Sequence, residues 1–206
     1  MNSILHPTYF PSISHFAVIA QSDTITFEME DHFQKQTNRN RMYIYSPNGT
    51  QLLNIPIKHS SAAHQKYKEI QIEDAFNWQK IHFKSLEAAY RSSPFFEYFE
   101  DDLMPVFEKK HTFLLDLNLQ IIEILKNCLG MKFDYKQTTE YFHQAEDLTD
   151  FRYLANGKKD ASQFEPYTQV FEEKHGYINN LSILDLLFNE GRYALDYLKN
   201  QPLIIQ

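Results

Sequence analysis

Asn48-Gly49 lies between two β-rich runs, Met42 to Tyr45 and Leu52 to Ile57, and no other stretch limits the fold of this chain so tightly. Asn and Gly supply the positive φ values that a tight reversal needs, so Pro47-Asn48-Gly49-Thr50 predicts an antiparallel hairpin over 42–57. Around it the hydrophobic period changes repeatedly. Pro7 and Pro11 permit an extended start and a loop but no helix. Ser12 then suits a helix cap, and Ile13, Phe16, Ala17 and Ala20 recur at helical spacing, which predicts a helix over 12–21. From Asp23 onward Ile25, Phe27 and Met29 alternate with polar neighbours, as in a half-buried strand. Lys58 to Lys68 is polar, contains His59 and His64, and is a candidate lid before a short strand around Ile70 and Ile72.

The second half reads as helices and a mixed tail. Over 74–91, Trp78, Ile81, Ser85, Leu86 and Ala89 form one stripe. Ser93-Pro94 ends that helix and opens another, which bears Phe95, Phe96, Phe99 and Leu103 and should kink or end at Pro105. Residues 112–129 predict a third helix stopped by Gly130. A short strand near 132–135, a polar stretch over 136–165, an extended run over 166–171 and a helix from Ser182 follow, with Ser182 and Asp185 as a capping box. The expectation is one α/β domain over 1–206, with a mixed or antiparallel sheet that contains the 42–57 hairpin and is packed by helices 74–91 and 112–129.

Composition narrows the function classes. A chain of 206 residues with 43% hydrophobic and 15% aromatic residues can build an ordinary packed core. Its one cysteine, Cys128, cannot form an internal disulfide, and no apolar stretch approaches the roughly 20 residues of a membrane span. A soluble cytoplasmic protein without a membrane span is expected. A net charge of −7 argues against nucleic acid as a partner. The charge is uneven, however: residues 32–92 carry nine basic and four acidic side chains, so this region suits an anionic small molecule.

No Gly-rich phosphate loop, Gly-x-Ser-x-Gly elbow, His-Glu-x-x-His or Cys-x-x-Cys is present. The cofactor is left unknown and no metal site is assigned, although Glu28, Glu30, Asp31 and His32 gather oxygens at a strand end. In an extended segment Arg39 and Arg41 share a face and would present two guanidinium forks to one phosphate, with Lys58 and Lys84 as secondary contacts. Asp23 and His82 are the candidate acid–base groups, a carboxylate at a strand start and an imidazole. A helix histidine beside Ile81 can equally be a hydrogen-bonded packing residue. Asn189 could meet a ligand if its helix end lines the site.

These blocks, in their order, resemble the WbqC-like family, named for a protein of O-antigen gene clusters. His6-Pro7-Thr8-Tyr9-Phe10-Pro11 is similar to its Pro-x-Tyr-Phe-Pro opening, with His6 where Gln is usual, and Asp23 falls where an Asp follows the first helix. Asn38 to Arg41 resembles its Asn-Arg element, and Gly49 to Lys58 its following strand. Trp78 to Ser85, Ala89 to Phe96, Tyr167 to Gln169 and Asn180 to Gly191 are similar to later blocks. The segment between about 148 and 166 is shorter than in many members. The resemblance implies a role in surface-polysaccharide (lipopolysaccharide O-antigen) biosynthesis, as a transferase using a nucleotide-activated sugar or an activated acyl donor. It also implies a pocket between residues 6–11, the Asn-Arg element and the later blocks, with Tyr9, Tyr167, Gln169, Ser182 and Asn189 as substrate-binding residues. The alternative is a non-catalytic binding or scaffold protein anchored by Phe95, Phe96, Tyr98 and Phe99.

Overall fold

The structure is a computed structural model that describes residues 1–58, 64–145 and 147–205. Within the candidate lid, residues 59–63, including His59, lie outside the described residues. Strand β1 (Asn2–Leu5) runs into helix α1 (Ile13–Gln21) and returns as β2 (Thr24–Phe27), the parallel neighbour of β1. Two short strands widen this unit on either side: β5 (Tyr135–Gln137) pairs with β2 and β6 (Thr149–Asp150) with β1, both parallel. The four-stranded order is β5-β2-β1-β6. Parallel neighbours need a crossover rather than a tight turn, and α1 supplies the first.

The hairpin is present as β3 (Arg41–Ser46) and β4 (Gly49–Asn54), but it forms a separate two-stranded antiparallel sheet. Its turn is also one residue off the expected centre, because Ser46 pairs with Gly49 and Pro47-Asn48 occupies the loop. Proline holds φ negative, so the positive φ falls on Gly49 (95°) alone. Helix α2 (Trp78–Tyr90) packs on β3, followed by α3 (Phe96–Glu108) and α4 (Leu114–Cys128). Short α5 (Glu172–His175), α6 (Ile183–Glu190) and α7 (Ala194–Lys199) close the chain.

One core joins these layers. Leu5, Ile25 and Phe27 of the parallel sheet, Phe16 and Ile19 of α1, and Leu184, Leu187 and Phe188 of α6 all belong to it. Helix α1 is buried from Ile13 through Ile19, between the sheet and α6–α7, as expected of a helix apolar nearly all round. Three local expectations change. The buried stripe of α2 is Trp78, His82, Leu86, Ala89 and Tyr90, with Ile81 59% exposed. Ser93 does not open α3; its hydroxyl donates to Tyr90 O at 2.7 Å and closes the end of α2, and α3 starts at Phe96. Ser182 does cap α6, accepting from Leu184 N, but Asp185 makes no reciprocal bond. It is wholly buried and accepts from Tyr90, Tyr167 and Gln169 at 2.8, 2.5 and 2.9 Å.

Candidate functional site

The parallel strands end at one level, because Leu5 pairs with Phe27 and Phe27 with Gln137, while Ile4 pairs with Asp150. The carboxyl edge therefore presents His6, Glu28, Thr138 and Asp150, and it is at this edge that open parallel sheets place ligands. Glu28 is wholly buried and accepts from Thr138 Oγ1 at 2.8 Å and from Glu30 N at 2.9 Å. Arg152 grips Asp150 through Nε and Nη2, at 3.0 and 2.6 Å, and extends Nη1 to Glu28 and to Phe142 O. On the neighbouring strand, His6 Nε2 lies 3.2 Å from Asp31 Oδ2, which also receives Arg39 Nη2 at 2.9 Å. Of these groups His6, Asp31, Arg39, Asp150 and Arg152 line a cavity of about 420 Å³, here called the edge cavity.

Burial pushes the His6 pKa below its ordinary value, against the pull of Asp31. The ring is thus neutral at neutral pH and donates through Nε2, which leaves Nδ1 bare. Burial alone would raise Asp31, but the His6 bond and the Arg39 charge hold its carboxyl below the usual range. Asp31, Glu28 and Asp150 each have a basic partner in reach. Glu30 is held by Lys66 and Lys68. Among the described residues no group of three His, Cys, Asp or Glu is disposed to hold a metal ion.

A second cavity, of about 290 Å³, adjoins the first. Segments 36–41 and 156–160 contribute to both and are tied by Asn38 N to Ala155 O at 2.8 Å. Arg39, Asn156 and Lys159 line the edge cavity, whereas Asn38, Arg41, Gly157, Lys158 and Asp160 line the second. Its far wall holds Ser12 and Ser182, the N-cap residues of α1 and α6. Among the described residues three non-glycine residues have positive φ, Phe10 at 37°, Gln36 at 63° and Asn180 at 54°, and all three line this cavity. Each such conformation costs roughly 1–3 kcal/mol and is kept where surrounding contacts impose it, often at functional sites. Around Phe10 and Asn180 the backbone is tied by Ile13 N to Leu181 O, Ile183 N to Pro11 O and Ser182 N to Tyr43 O.

The charge in the second cavity is unbalanced. Its carboxylate, Asp160, is fully engaged by Ser14 Oγ at 2.6 Å, Asn180 Nδ2 at 2.7 Å and Ser162 N at 3.0 Å. Arg41 uses only Nε, toward Asn54 Oδ1 at 3.3 Å, and enters no ion pair among the described residues. The Lys158 ammonium is exposed and without a partner among them. Asn38 is 8% exposed, and its carboxamide makes no hydrogen bond within the described residues.

The expected site residues divide sharply. Arg39 and Arg41 do not share one anion: Arg39 precedes β3 and turns inward, 1% exposed, to the edge cavity, while Arg41 opens β3 and lines the second. Ser182 lines the second cavity. Asp23 does not face the same cleft as residues 6–11, because it precedes β2 and so sits at the amino edge, exposed and paired with the chain's terminal amine. His82 points inward, 3% exposed, and bonds Tyr9 Oη at 2.8 Å; burial lowers its pKa to about 4. Tyr9 is wholly buried in that pair. Tyr167 and Gln169 bond Asp185 and so hold α6 in place, whereas Asn189 donates to Asp185 O at 2.7 Å within α6 itself. Lys58 bonds Gln71 at 3.1 Å and Lys84 stands on the exposed face of α2. Of the aromatic anchors only Tyr98 is strongly exposed, at 75%; Phe96 and Phe99 are buried and Phe95 is partly buried against the core.

Sequence reading passed over Asp150, Arg152 and Lys158, which lie in the polar stretch 136–165 where no periodicity marks a strand. The one available signal was a charged residue beside a short apolar–aromatic step, Thr149-Asp150-Phe151-Arg152. Among known proteins, the chain is 28% identical to Uncharacterized protein Rv1507c of Mycobacterium tuberculosis over 96% of each chain. No solved structure matches it significantly. The sequence profile of the WbqC-like protein family matches residues 6–157, a span that includes the strained loop at Phe10, α1, β2, the Asn-Arg segment and the hairpin. By that match the chain belongs to the WbqC-like protein family.

Proposed function

We propose that this protein is a transferase of surface-polysaccharide (O-antigen) assembly that takes a nucleotide-activated sugar or an activated acyl donor, and that the donor's anionic part occupies the second cavity. Family membership supports the pathway. The observation that carries the chemistry is the set of unused donors there: among the described residues the Asn38 carboxamide, the two Nη groups of Arg41 and the Lys158 ammonium have no partner, while the neighbouring Asp160 is already occupied. An anion accepts from all three without displacing an internal bond. The amino ends of α1 and α6 add their dipoles, since the partial positive charge at a helix start favours negative groups even where, as here, the first amides are already bonded. Phe10, Met42, Ile178 and Leu181 give the cavity an apolar side, suited to the organic part of such a donor. No helix among the described residues is long and apolar enough to cross a membrane.

Thermal denaturation with nucleotide sugars, acyl-CoA and inorganic pyrophosphate tests the reading. At least one anionic donor should raise the melting temperature of the native chain. Arg41→Ala should weaken its binding about tenfold or more, because a charge-assisted hydrogen bond contributes about 1.5–3 kcal/mol. No stabilisation by any of these anions, or equal binding by Arg41→Ala, would show that the second cavity holds no donor.

A further inference from the structure

The edge cavity differs from its neighbour in kind, since its charges are already matched. Asp31 is held by Arg39 and His6, Asp150 by Arg152, and Glu28 behind them by Thr138 and Arg152. An ionic ligand would have to break one of these pairs. Among the described residues the Gln34 carboxamide, the Tyr141 hydroxyl and the His143 ring line it without a hydrogen bond, and His6 Nδ1 and Arg39 Nε, on buried side chains behind them, are likewise unpartnered, so donors and acceptors are both on offer. A hydroxyl both donates and accepts, so hydroxyl groups match such a surface, whereas a phosphate or carboxylate serves only the donors. At the mouth stands Tyr141, 41% exposed, its ring steadied by the Arg152 guanidinium 5.4 Å from its centroid and by the edge of His143 at 4.9 Å. A ring fixed in this way offers an apolar platform beside fixed polar groups, and the volume of about 420 Å³ lies in the range of small-molecule pockets.

We infer that the edge cavity is a second binding site, for a neutral polyhydroxylated ring, with Tyr141 as platform and Asp31, Asp150 and Arg152 as hydrogen-bonding partners for its hydroxyls. This deepens the transferase reading and rests on it in one respect, that the ring is the acceptor: a ring hydroxyl oxygen bonds the sugar or acyl carbon as that carbon's bond to the nucleotide phosphate or thiol sulfur breaks, and the hydroxyl proton is released to the leaving group or solvent. The binding itself stands on the edge cavity alone. Segments 36–41 and 156–160 line both this cavity and the donor site, so the two sites adjoin along them.

Saturation-transfer NMR with the methyl glycosides of glucose, galactose and N-acetylglucosamine tests the inference, with inorganic pyrophosphate titrated separately. The native chain should bind at least one glycoside. Tyr141→Ala and Asp150→Asn, both at partly exposed positions, should weaken that binding at least tenfold while leaving the pyrophosphate response intact. Arg41→Ala should do the reverse. Failure of all glycosides to bind, unchanged binding in both edge-cavity variants, or loss of glycoside binding in Arg41→Ala would each overturn the assignment. If glycosides bind in the edge cavity and none of the nucleotide sugars, acyl-CoA or pyrophosphate binds, this site stands and the donor reading fails.

Discussion

Two histidines show how a single side chain is placed by partners that its neighbours in sequence do not reveal. Hydropathy along α2 favours Ile81 for the core, yet His82 is inside because Tyr9, 73 residues earlier, supplies a hydroxyl for its Nδ1. His15, within α1, is 1% exposed and bonded to Ser12 Oγ. Burial lowers both rings to about 4, so both are neutral in the folded chain at neutral pH. In the unfolded chain they take up protons near pH 6.5. Their contribution is therefore complete above pH 6.5 and is lost as pH falls toward 4, by up to about 3 kcal/mol for each ring. The melting temperature should drop over that window. His82→Gln keeps an acceptor for Tyr9 but removes the titration, so its melting temperature should depend less steeply on pH. An identical slope in the variant would mean that His82 does not stay neutral in the fold.

At the scale of elements, most helices and the hairpin were legible because each carries its own period and punctuation: Ser12, Gly130, Ser182, and Pro47 to Gly49. What local pattern misassigned were the joints. Ser93-Pro94 has the composition of a helix start, but the chain there is occupied in closing α2, and Phe95 N bonds Phe188 O of α6 instead. The same contact explains Gly191. It has φ 54°, and a Cβ built on it would lie 2.7–2.8 Å from the Phe95 ring. Gly191→Ala should therefore combine backbone strain with a clash and destabilise the protein by about 2–4 kcal/mol in urea denaturation. In Phe95→Ala the clash is absent, and the added cost of Gly191→Ala should shrink to about 1–2 kcal/mol, the backbone term alone. Full additivity of the two substitutions would mean that the ring does not rest on this glycine.

Across the whole molecule, the parallel sheet was the least legible feature, because two of its four strands have only two or three residues and lie in polar sequence. Only β2 alternates clearly. The two edges of this sheet nevertheless decide which carboxylates matter. Asp23 and Asp31 flank the same strand and look alike in sequence, but four residues of β2 carry the chain about 13 Å from the amino to the carboxyl edge. Asp23 pairs with the terminal amine in open solvent, whereas Asp31, its side chain 12% exposed, balances Arg39 and His6. An exposed pair is screened and adds little stability, while removing one member of a buried set leaves uncompensated charge that costs about 3–5 kcal/mol. Asp23→Asn should thus melt close to the native chain and bind both pyrophosphate and glycosides unchanged. Asp31→Asn should lower the melting temperature clearly and weaken glycoside binding, with pyrophosphate binding preserved at temperatures where the variant is folded. Calorimetric titration of both variants separates the two edges. Loss of ligand binding in Asp23→Asn with native stability would place the functional edge of the sheet at its amino end and remove the geometric basis for the carboxyl-edge site.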